Sequence, residues 1–325
     1  MIISAYIGEG RFNGLRKGDK KILTHVNFSF AVVKDGIGSV DHWTNGEKIR
    51  EFMENRGHIK AVLSVGGWGA GGFSDACATE DGREKLAQSL VDIMNDYGFD
   101  GIDLDWEYPG IGDAGIDYSP NDKKTYTAWV KLIREKIGNT KLLTMAAGAF
   151  QGCIDNLEID ELTELLDYFN IMTYDMSHKS HSCHHTSLFA SDLSQSMNGD
   201  KAVRLYEAAG IPLDKLVFGA AFYARIYSGT QGLNTPYDGE IPAWSGGYAD
   251  TMAKAALADE ILYDEKAEAA YAYDSNNHTL ISFDNPRSLK TKCDYAKERG
   301  MLGIMFWEYT CDDENSTLLN AMKQQ

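Results

Sequence analysis

The sequence predicts a (β/α)8 barrel, the TIM-barrel class of α/β fold, with a small α+β insertion between strand 7 and strand 8. Short apolar runs alternate with segments of helical periodicity along most of the 325 residues. The runs are rich in Val, Ile, Leu and Phe and show little strict alternation, as expected for parallel strands that are buried on both faces. Eight such runs favour the barrel, with a doubly wound sheet as the alternative.

The eight predicted strands are followed, except for the seventh, by a simple helical segment. They cover residues 2–7, 26–32, 61–65, 99–106, 141–147, 168–173, 216–222 and 301–306. Two intervening helices have the clearest apolar spacing of i, i+4, i+7 and i+8, around 86–97 and 126–137. Five glycines stand between a helix and the next strand, where a left-handed residue is expected: Gly57, Gly98, Gly138, Gly210 and Gly300.

The stretch after the seventh strand does not follow the strand–helix pattern. Residues 227–284 contain many Gly and Pro turns, then a predicted helix at 252–262 and strand-like runs at 270–273 and 279–283. We interpret them as an insertion within one catalytic barrel domain that spans 1–325, rather than as a second domain.

Composition excludes several classes of protein. The apolar content of 43% excludes a disordered chain. The net charge of −17 disfavours binding to nucleic acid or to anionic membrane surfaces. Five widely spaced cysteines do not form a disulfide framework, and neither a membrane span nor a signal peptide is visible. We therefore expect a monomeric protein of the cytoplasm, or a secreted one whose signal has been removed.

The most informative segment is the end of the fourth predicted strand. Side chains alternate between the faces of a strand, so Asp103, Asp105 and Glu107 share one face, opposite the apolar Ile102 and Leu104. The apolar face suits the helix layer, which leaves three carboxylates pointing into the barrel. Glu107 is nearest the C-terminal end of the strand, where the active sites of such barrels lie.

Three carboxylates spaced by about 6.6 Å cannot all ionise without a large cost. Their titration is coupled, and at least one of them is expected to be protonated near neutral pH. A protonated carboxyl is what a general acid requires. A solvated strand end and a carboxylate metal site remain alternatives. Asp100 has the opposite parity, which indicates a structural role such as hydrogen bonding at the start of the strand.

The segment around the three carboxylates resembles a known sequence motif. The pattern Asp100-x-x-Asp103-x-Asp105-x-Glu107-Tyr108-Pro109 resembles the signature of glycoside hydrolase family 18, the chitinase family. Other segments resemble further motifs of that family in the same order, with Ala224 in place of a glycine: Ser64-Val65-Gly66-Gly67-Trp68, Met172-Thr173-Tyr174-Asp175, Tyr223-Ala224-Arg225, and Phe283-Asp284-Asn285-Pro286 with Trp307.

The resemblance implies a substrate-assisted retaining mechanism, an exception to the rule of two catalytic carboxylates. Glu107 would protonate the glycosidic oxygen, and the acetamido oxygen of the substrate would be the nucleophile. Asp105 would bind the acetamido N–H and share a proton with Asp103. Tyr174 would hold the acetamido oxygen, and Asp175 would bind sugar in the same subsite.

Further residues are expected around the sugar. Trp307 would form the apolar floor, and Arg225 would lie near the leaving group. Ser64 would support the carboxylates by hydrogen bonding. The remaining candidates for substrate contact are Met172 of the strand-six motif and five aromatic residues, for which packing in the core is the alternative: Tyr6, Phe30, Trp68, Tyr223 and Trp244.

A histidine-rich loop follows the sixth strand. His178, His181, Cys183, His184 and His185 lie close together in sequence, but their spacing is irregular and no Cys-x-x-Cys pair accompanies them. We expect no metal and no cofactor.

The resemblance therefore implies an enzyme that cleaves β-1,4-linked N-acetylglucosamine in chitin or its oligomers. An endo-β-N-acetylglucosaminidase that acts on glycan cores is one alternative. A catalytically silent, lectin-like chitin-binding protein is another, although such relatives usually lack the terminal glutamate that is present here as Glu107.

Overall fold

The computed structural model describes residues 1–194, 197–239 and 241–323. The strands in these ranges are β1 Ile2–Gly8, β2 His25–Lys34, β3 Ile37–Ser39, β4 Lys60–Gly66, β5 Gly101–Asp105, β6 Leu142–Gly148, β7 Tyr168–Met172, β8 Leu216–Ala221, β9 Tyr223–Ser228, β10 Ala243–Gly247, β11 Glu260–Asp264, β12 Ala269–Asp274, β13 Thr279–Phe283 and β14 Gly303–Trp307. The helices are α1 Gly46–Asn55, α2 Phe73–Cys77, α3 Glu80–Tyr97, α4 Asp122–Ile137, α5 Gln151–Asp155, α6 Ile159–Leu165, α7 Gly199–Ala208, α8 Tyr248–Ala255, α9 Pro286–Glu298 and α10 Thr317–Ala321.

Eight parallel strands of the described chain close into a barrel. Their order is β1-β14-β8-β7-β6-β5-β4-β2, and β2 pairs back onto β1. The register aligns Ile2 with Gly303 on one side of β1 and Ser4 with His25 on the other. The predicted (β/α)8 barrel is confirmed, and all eight predicted strands correspond to its strands.

The two faces of β5 separate as the sequence predicts. Trp106, which follows the strand, lies in the layer between the barrel and the helices. Its ring stacks on that of Phe73 of α2 with a centroid distance of 5.3 Å, and Phe73 also contacts Trp129 of α4. Ile102 and Leu104 are fully buried in the same apolar layer. The opposite face of β5 is therefore directed into the lumen of the barrel.

The chain leaves the barrel immediately after β8. β9 begins at Tyr223 and joins a second, antiparallel sheet of five strands in the order β10-β9-β13-β12-β11. The helix α8 packs on this sheet with a small apolar cluster of its own, formed largely by alanines and by Ile281 and Phe283. We call β9 to β13 with α8 the insertion sheet; it returns to the barrel through α9.

One predicted element of this region is wrong. The apolar residues from 252 to 262 predict a single helix, but α8 ends at Ala255 and residues 260–264 form strand β11. Ile261 of β11 pairs with Ala272 of β12. Pairing with a neighbouring strand outweighs the weak helical pattern here, because propensity alone is a small contribution.

The glycines that were expected to end helices do so. All five have positive φ angles, between 65° and 105°. At the end of α3, for example, Gly98 has a φ of 74° and its N–H donates to carbonyls of the last helical turn. Across the described ranges, no helix combines the length and apolarity needed to cross a bilayer.

Candidate active site

The carboxylates of β5 lie at the top of the barrel lumen. Asp103 and Asp105 are on the strand, and Glu107 lies two residues beyond its last residue. Asp105 is 4% exposed and Glu107 is 8% exposed, while Asp103 is completely buried. The three side chains thus form a file that rises from the closed interior towards the open end. Asp100 lies outside this file, and its carboxylate accepts a hydrogen bond from the N–H of Ala61 at 2.8 Å, which confirms the structural role expected for it.

Asp103 is held by four neutral donors from four other strands. Its Oδ2 accepts from the hydroxyls of Tyr6 and Ser64, each at 2.8 Å. Its Oδ1 accepts from Thr144 Oγ1 at 2.5 Å and from Asn170 Nδ2 at 3.2 Å. Burial raises the pKa of Asp103, and these hydrogen bonds oppose the rise. The support expected from Ser64 is confirmed.

Two of these four donors were not singled out in the sequence. Thr144 and Asn170 are polar residues in the middle of otherwise apolar strands, β6 and β7, and both are fully buried. That polarity is the signal that could have identified them, because a buried polar side chain requires a hydrogen-bond partner.

Asp105 is electrostatically coupled to Glu107, in line with the coupled titration expected for the three carboxylates. Burial raises its pKa well above the ordinary value, and the charges of Glu107 and Asp103 and a hydrogen bond with Glu107 raise it further. The hydrogen bonds of Asp103 come from neutral donors, and a proton shared between Asp103 and Asp105 stays a prediction. The Oδ1 atom of Asp105 is buried and has no protein partner.

Glu107 has the acidity of a general acid that works near neutral pH. Burial raises the pKa of Glu107 to about 7, and the nearby charge of Asp175 contributes to the rise. A carboxyl with this pKa is protonated in a large fraction of molecules at pH 6–7, whereas an ordinary glutamate is almost fully ionised there.

The pKa of Asp175 is lowered, in contrast to the raised pKa of Glu107. Arg225 of the insertion sheet donates to both of its oxygens, at 2.6 and 2.7 Å. His185 Nδ1 lies 3.6 Å from Oδ1. Burial raises the pKa of Asp175, but hydrogen bonds from His185 and Arg225 outweigh it and hold the pKa well below its usual range. Asp175 is thus an anion whose charge is partly balanced by Arg225. The expected position of Arg225 near the leaving group stays a prediction.

Two tyrosines stand beside Asp175. The Tyr174 hydroxyl lies 4.0 Å from Met305 Sδ, and burial raises the pKa of Tyr174 well above its ordinary value, so the phenol remains a neutral donor. The ring of Tyr223 contacts that of Tyr174 with a centroid distance of 6.1 Å. Met172, the last residue of β7, is buried.

Aromatic rings form the other side of the site. Trp307, at the end of β14, stacks on Phe30 with a centroid distance of 5.4 Å and an interplanar angle of 13°. Tyr6 lies 6.1 Å from the same indole but is buried, and its hydroxyl is committed to Asp103, so it supports a carboxylate rather than offering a face to a sugar. Trp68 is 62% exposed, and it directly follows Gly67, whose backbone packs closely against the Phe30 ring.

The side chains of the histidine-rich loop contact different parts of the structure. His178 and His181 contact each other near the surface, whereas His184 reaches Asp264 of the insertion sheet at 3.1 Å and His185 faces Asp175. In the part of the chain that the structure describes, His, Cys, Asp and Glu side chains form no group of three or more that could hold a metal ion.

The arrangement as a whole is that of an acid next to a second buried carboxyl, above a floor of aromatic rings. The model of the family described as Glycosyl hydrolases family 18 matches residues 3–312. The chain belongs to this family. It is therefore a chitinase-type glycosidase, and the predicted family resemblance is confirmed.

Curated relatives agree with this assignment. Chitinase 1 of Aphanocladium album is 33% identical over 93% of this chain and 79% of its own length. Chitinase A1 of Niallia circulans is also 33% identical, over 86% of this chain but only 44% of its own length. The chain thus spans less than half of that second relative.

Solved structures share the whole architecture. A family 18 N-acetylglucosaminidase from Paenibacillus barengoltzii superimposes with a TM-score of 0.91, at 36% identity over 99% of this chain and 98% of its own. A chitinase from Rhizomucor miehei superimposes with a TM-score of 0.86, at 28% identity over 99% of both chains.

Proposed function

We propose that this protein hydrolyses β-1,4-linked N-acetylglucosamine in chitin or chitooligosaccharides by a substrate-assisted retaining mechanism. The observation that carries the proposal is the pair formed by Glu107 and Asp105. Both carboxyls are buried at the top of the lumen with raised pKa values, so the pair holds a proton near neutral pH. Asp175 is compensated by Arg225 and is not a free second carboxylate for direct attack.

In the first step Glu107 donates its proton to the glycosidic oxygen. The acetamido oxygen of the substrate attacks the anomeric carbon, and the bond to the leaving sugar breaks. An amide tethered to the substrate replaces a protein nucleophile efficiently because its effective concentration is high. Glu107, now ionised, then removes a proton from the water that opens the cyclic intermediate, so two inversions retain the configuration.

Asp105 and Tyr174 orient the reacting amide in this proposal. The buried, unpartnered Oδ1 of Asp105 is an acceptor in need of a donor, and the acetamido N–H of a bound sugar supplies one. The Tyr174 hydroxyl donates to the acetamido oxygen and aligns it for attack. Asp105 also balances the positive charge that develops on the nitrogen.

Trp307 and Phe30 supply the apolar floor for the sugar ring. Because they are stacked on each other, Phe30 fixes the plane of the half-buried indole. A preorganised aromatic face binds the apolar face of a pyranose with little loss of side-chain entropy.

A second candidate is the removal of single N-acetylglucosamine units. It is favoured by the likeness to the family 18 N-acetylglucosaminidase of Paenibacillus barengoltzii. A silent lectin-like role is disfavoured because the buried acid Glu107 is in place. Hydrolysis of glycan cores uses the same chemistry and differs only in the sugars around the cleaved bond.

The proposed function is tested by replacing the general acid, Glu107. Glu107→Gln keeps the size of the side chain and removes its proton, so turnover of a fluorogenic N-acetylchitobioside is expected to fall by at least 100-fold. Binding of chitotetraose, measured by calorimetry, is expected to persist. Glu161→Gln, at an exposed position of α6, is the matched control and should keep wild-type turnover. Undiminished turnover in Glu107→Gln would refute the assignment, and an α-anomer as the first product by NMR would refute retention.

A further inference from the structure

The strand that carries Trp307 lies directly across the barrel from the strand that carries the acid. In the closed order β1-β14-β8-β7-β6-β5-β4-β2, four steps separate β14 from β5 in either direction. In the proposed function, the sugar on the non-reducing side of the bond that Glu107 cleaves lies on Trp307, so it would extend from β5 over the lumen towards β14. Any further sugars on the non-reducing side would then continue past Trp307 to the rim behind it.

That rim is tied together by a buried carboxylate. Glu308 follows Trp307, and its side chain is 1% exposed. It accepts hydrogen bonds from Gly8 N at 3.1 Å, from Arg11 Nη1 at 2.8 Å and from the Thr310 hydroxyl. The loop after β1 is thus fixed to the loop after β14 by a charged pair that is anchored on the buried side.

The insertion sheet approaches the same rim from the other side. Gly247, at the end of β10, packs so closely on the turn after β14 that a Cβ there would lie 2.7 Å from the carbonyl oxygen of Cys311. This contact brings Trp244 of β10 towards the barrel. The guanidinium of Arg11 lies over the Trp244 ring, with its Cζ 5.9 Å from the centroid. We call this contact the Arg11–Trp244 bridge.

We propose that the Arg11–Trp244 bridge ends the binding cleft on the non-reducing side and makes the enzyme exo-acting, so that it releases a short product of fixed length from the non-reducing end. This inference rests on the proposed hydrolysis of N-acetylglucosamine polymers. The bridge joins the two loops that flank Trp307, and it stands in the path that a longer non-reducing segment would take.

The chemistry of the bridge suits the end of a sugar chain. Both side chains are partly solvent-exposed, Arg11 by 52% and Trp244 by 45%, so they are available to a ligand. A guanidinium donates to the hydroxyls of a terminal sugar, and an indole packs against its ring. A cation over an aromatic ring is a weak attraction at an exposed site, so it favours the closed arrangement without making it rigid.

The first experiment uses the wild-type protein and chitohexaose with a fluorescent label at the reducing end. In early samples, we expect one unlabelled product, a mono- or disaccharide, to exceed all longer unlabelled products at least tenfold. Chitohexaose with a bulky group on the 4-hydroxyl of the non-reducing end should be cleaved at least tenfold more slowly. An early mixture of unlabelled products of all lengths would overturn the inference and leave the proposed function intact, whereas absence of any hydrolysis would overturn the proposed function itself.

The second experiment opens the bridge. In the double variant Arg11→Ala/Trp244→Ala, unlabelled trisaccharide and longer products should rise at least tenfold relative to the short product. The control is Arg287→Ala, which removes a guanidinium that lies 3.8 Å from the Tyr263 ring centroid and pairs with exposed Glu265. The control removes the same kind of contact at another position and should keep the wild-type product pattern. An unchanged pattern in the double variant would overturn the inference.

Discussion

The buried position of Glu107 predicts the basic limb of the pH–rate profile. A glutamate of ordinary pKa is protonated in roughly two molecules per thousand at pH 7. Burial raises the pKa of Glu107 to about 7, so about half of the molecules carry the proton. The protein environment therefore increases the active fraction at neutral pH on the order of 200-fold.

The direction of the pH dependence follows from the role of Glu107 as the general acid. A general acid must be protonated, so kcat/KM should be level on the acidic side of the limb and fall as the pH rises through about 7, by about tenfold for each further pH unit. The limb belongs to the coupled pair of Glu107 and Asp105 rather than to either carboxyl alone. The charge of Asp175 raises the pKa of Glu107, so Asp175→Asn should move the limb to lower pH.

The assay is the pH dependence of kcat/KM on a fluorogenic N-acetylchitobioside between pH 4 and pH 9, at constant ionic strength. Circular dichroism at each pH confirms that the protein remains folded. Asp160→Asn, at an exposed position in the first turn of α6, should lower the net negative charge equally without moving the limb. A wild-type limb below pH 5, or equal shifts in both aspartate variants, would refute the reasoning.

Two further variants test buried polar groups. Lys292 donates to both oxygens of Asp284 at 2.7 and 2.6 Å, and both side chains are buried; Lys292→Met should lower the free energy of unfolding in urea by about 3–5 kcal/mol, because it leaves an unpaired buried carboxylate. Tyr6→Phe removes one of the four donors to Asp103; a lost hydrogen bond of about 1–1.5 kcal/mol should lower kcat roughly tenfold with little change in KM.

Each of these variants has a matched control. Lys290→Met, also on α9, removes a lysine from an exposed pair with Asp294, and its stability should change by no more than about 0.5 kcal/mol. Tyr168→Phe removes a lumen hydroxyl that has no protein partner, and kcat should be preserved. Equal destabilisation by both lysine variants, or equal loss of kcat in both tyrosine variants, would contradict the roles assigned to Lys292 and Tyr6.

The file of carboxylates was predictable because it depends on local geometry. Alternation along one strand is enough to place Asp103 and Asp105 on the lumen face and Leu104 on the other. The environment of Asp103 was only partly predictable. Ser64 belonged to a recognisable motif, but Thr144 and Asn170 lie 41 and 67 residues away from Asp103 and meet it only because the barrel closes.

The pairing of Asp175 with Arg225 illustrates the same limit. Both residues were candidates for substrate contact, yet the sequence did not indicate that one neutralises the other. Asp175 lies in the loop after β7, whereas Arg225 lies in β9 of the insertion sheet, 50 residues later. Their contact depends on how the insertion sheet docks onto the barrel, which is a property of tertiary packing and not of any local pattern.

The pairing of β1 with β14 has a consequence for synthesis of the protein. Ile2 is aligned with Gly303, so about 300 residues separate two neighbours in the finished barrel. At roughly 5–20 residues per second, a ribosome needs about 15–60 s to make that length of chain. Throughout this interval β1 has an unpaired edge on that side, and such edges associate readily with other strands. Yield in a heterologous host should therefore depend on chaperone supply and on growth temperature more than on the stability of the completed barrel.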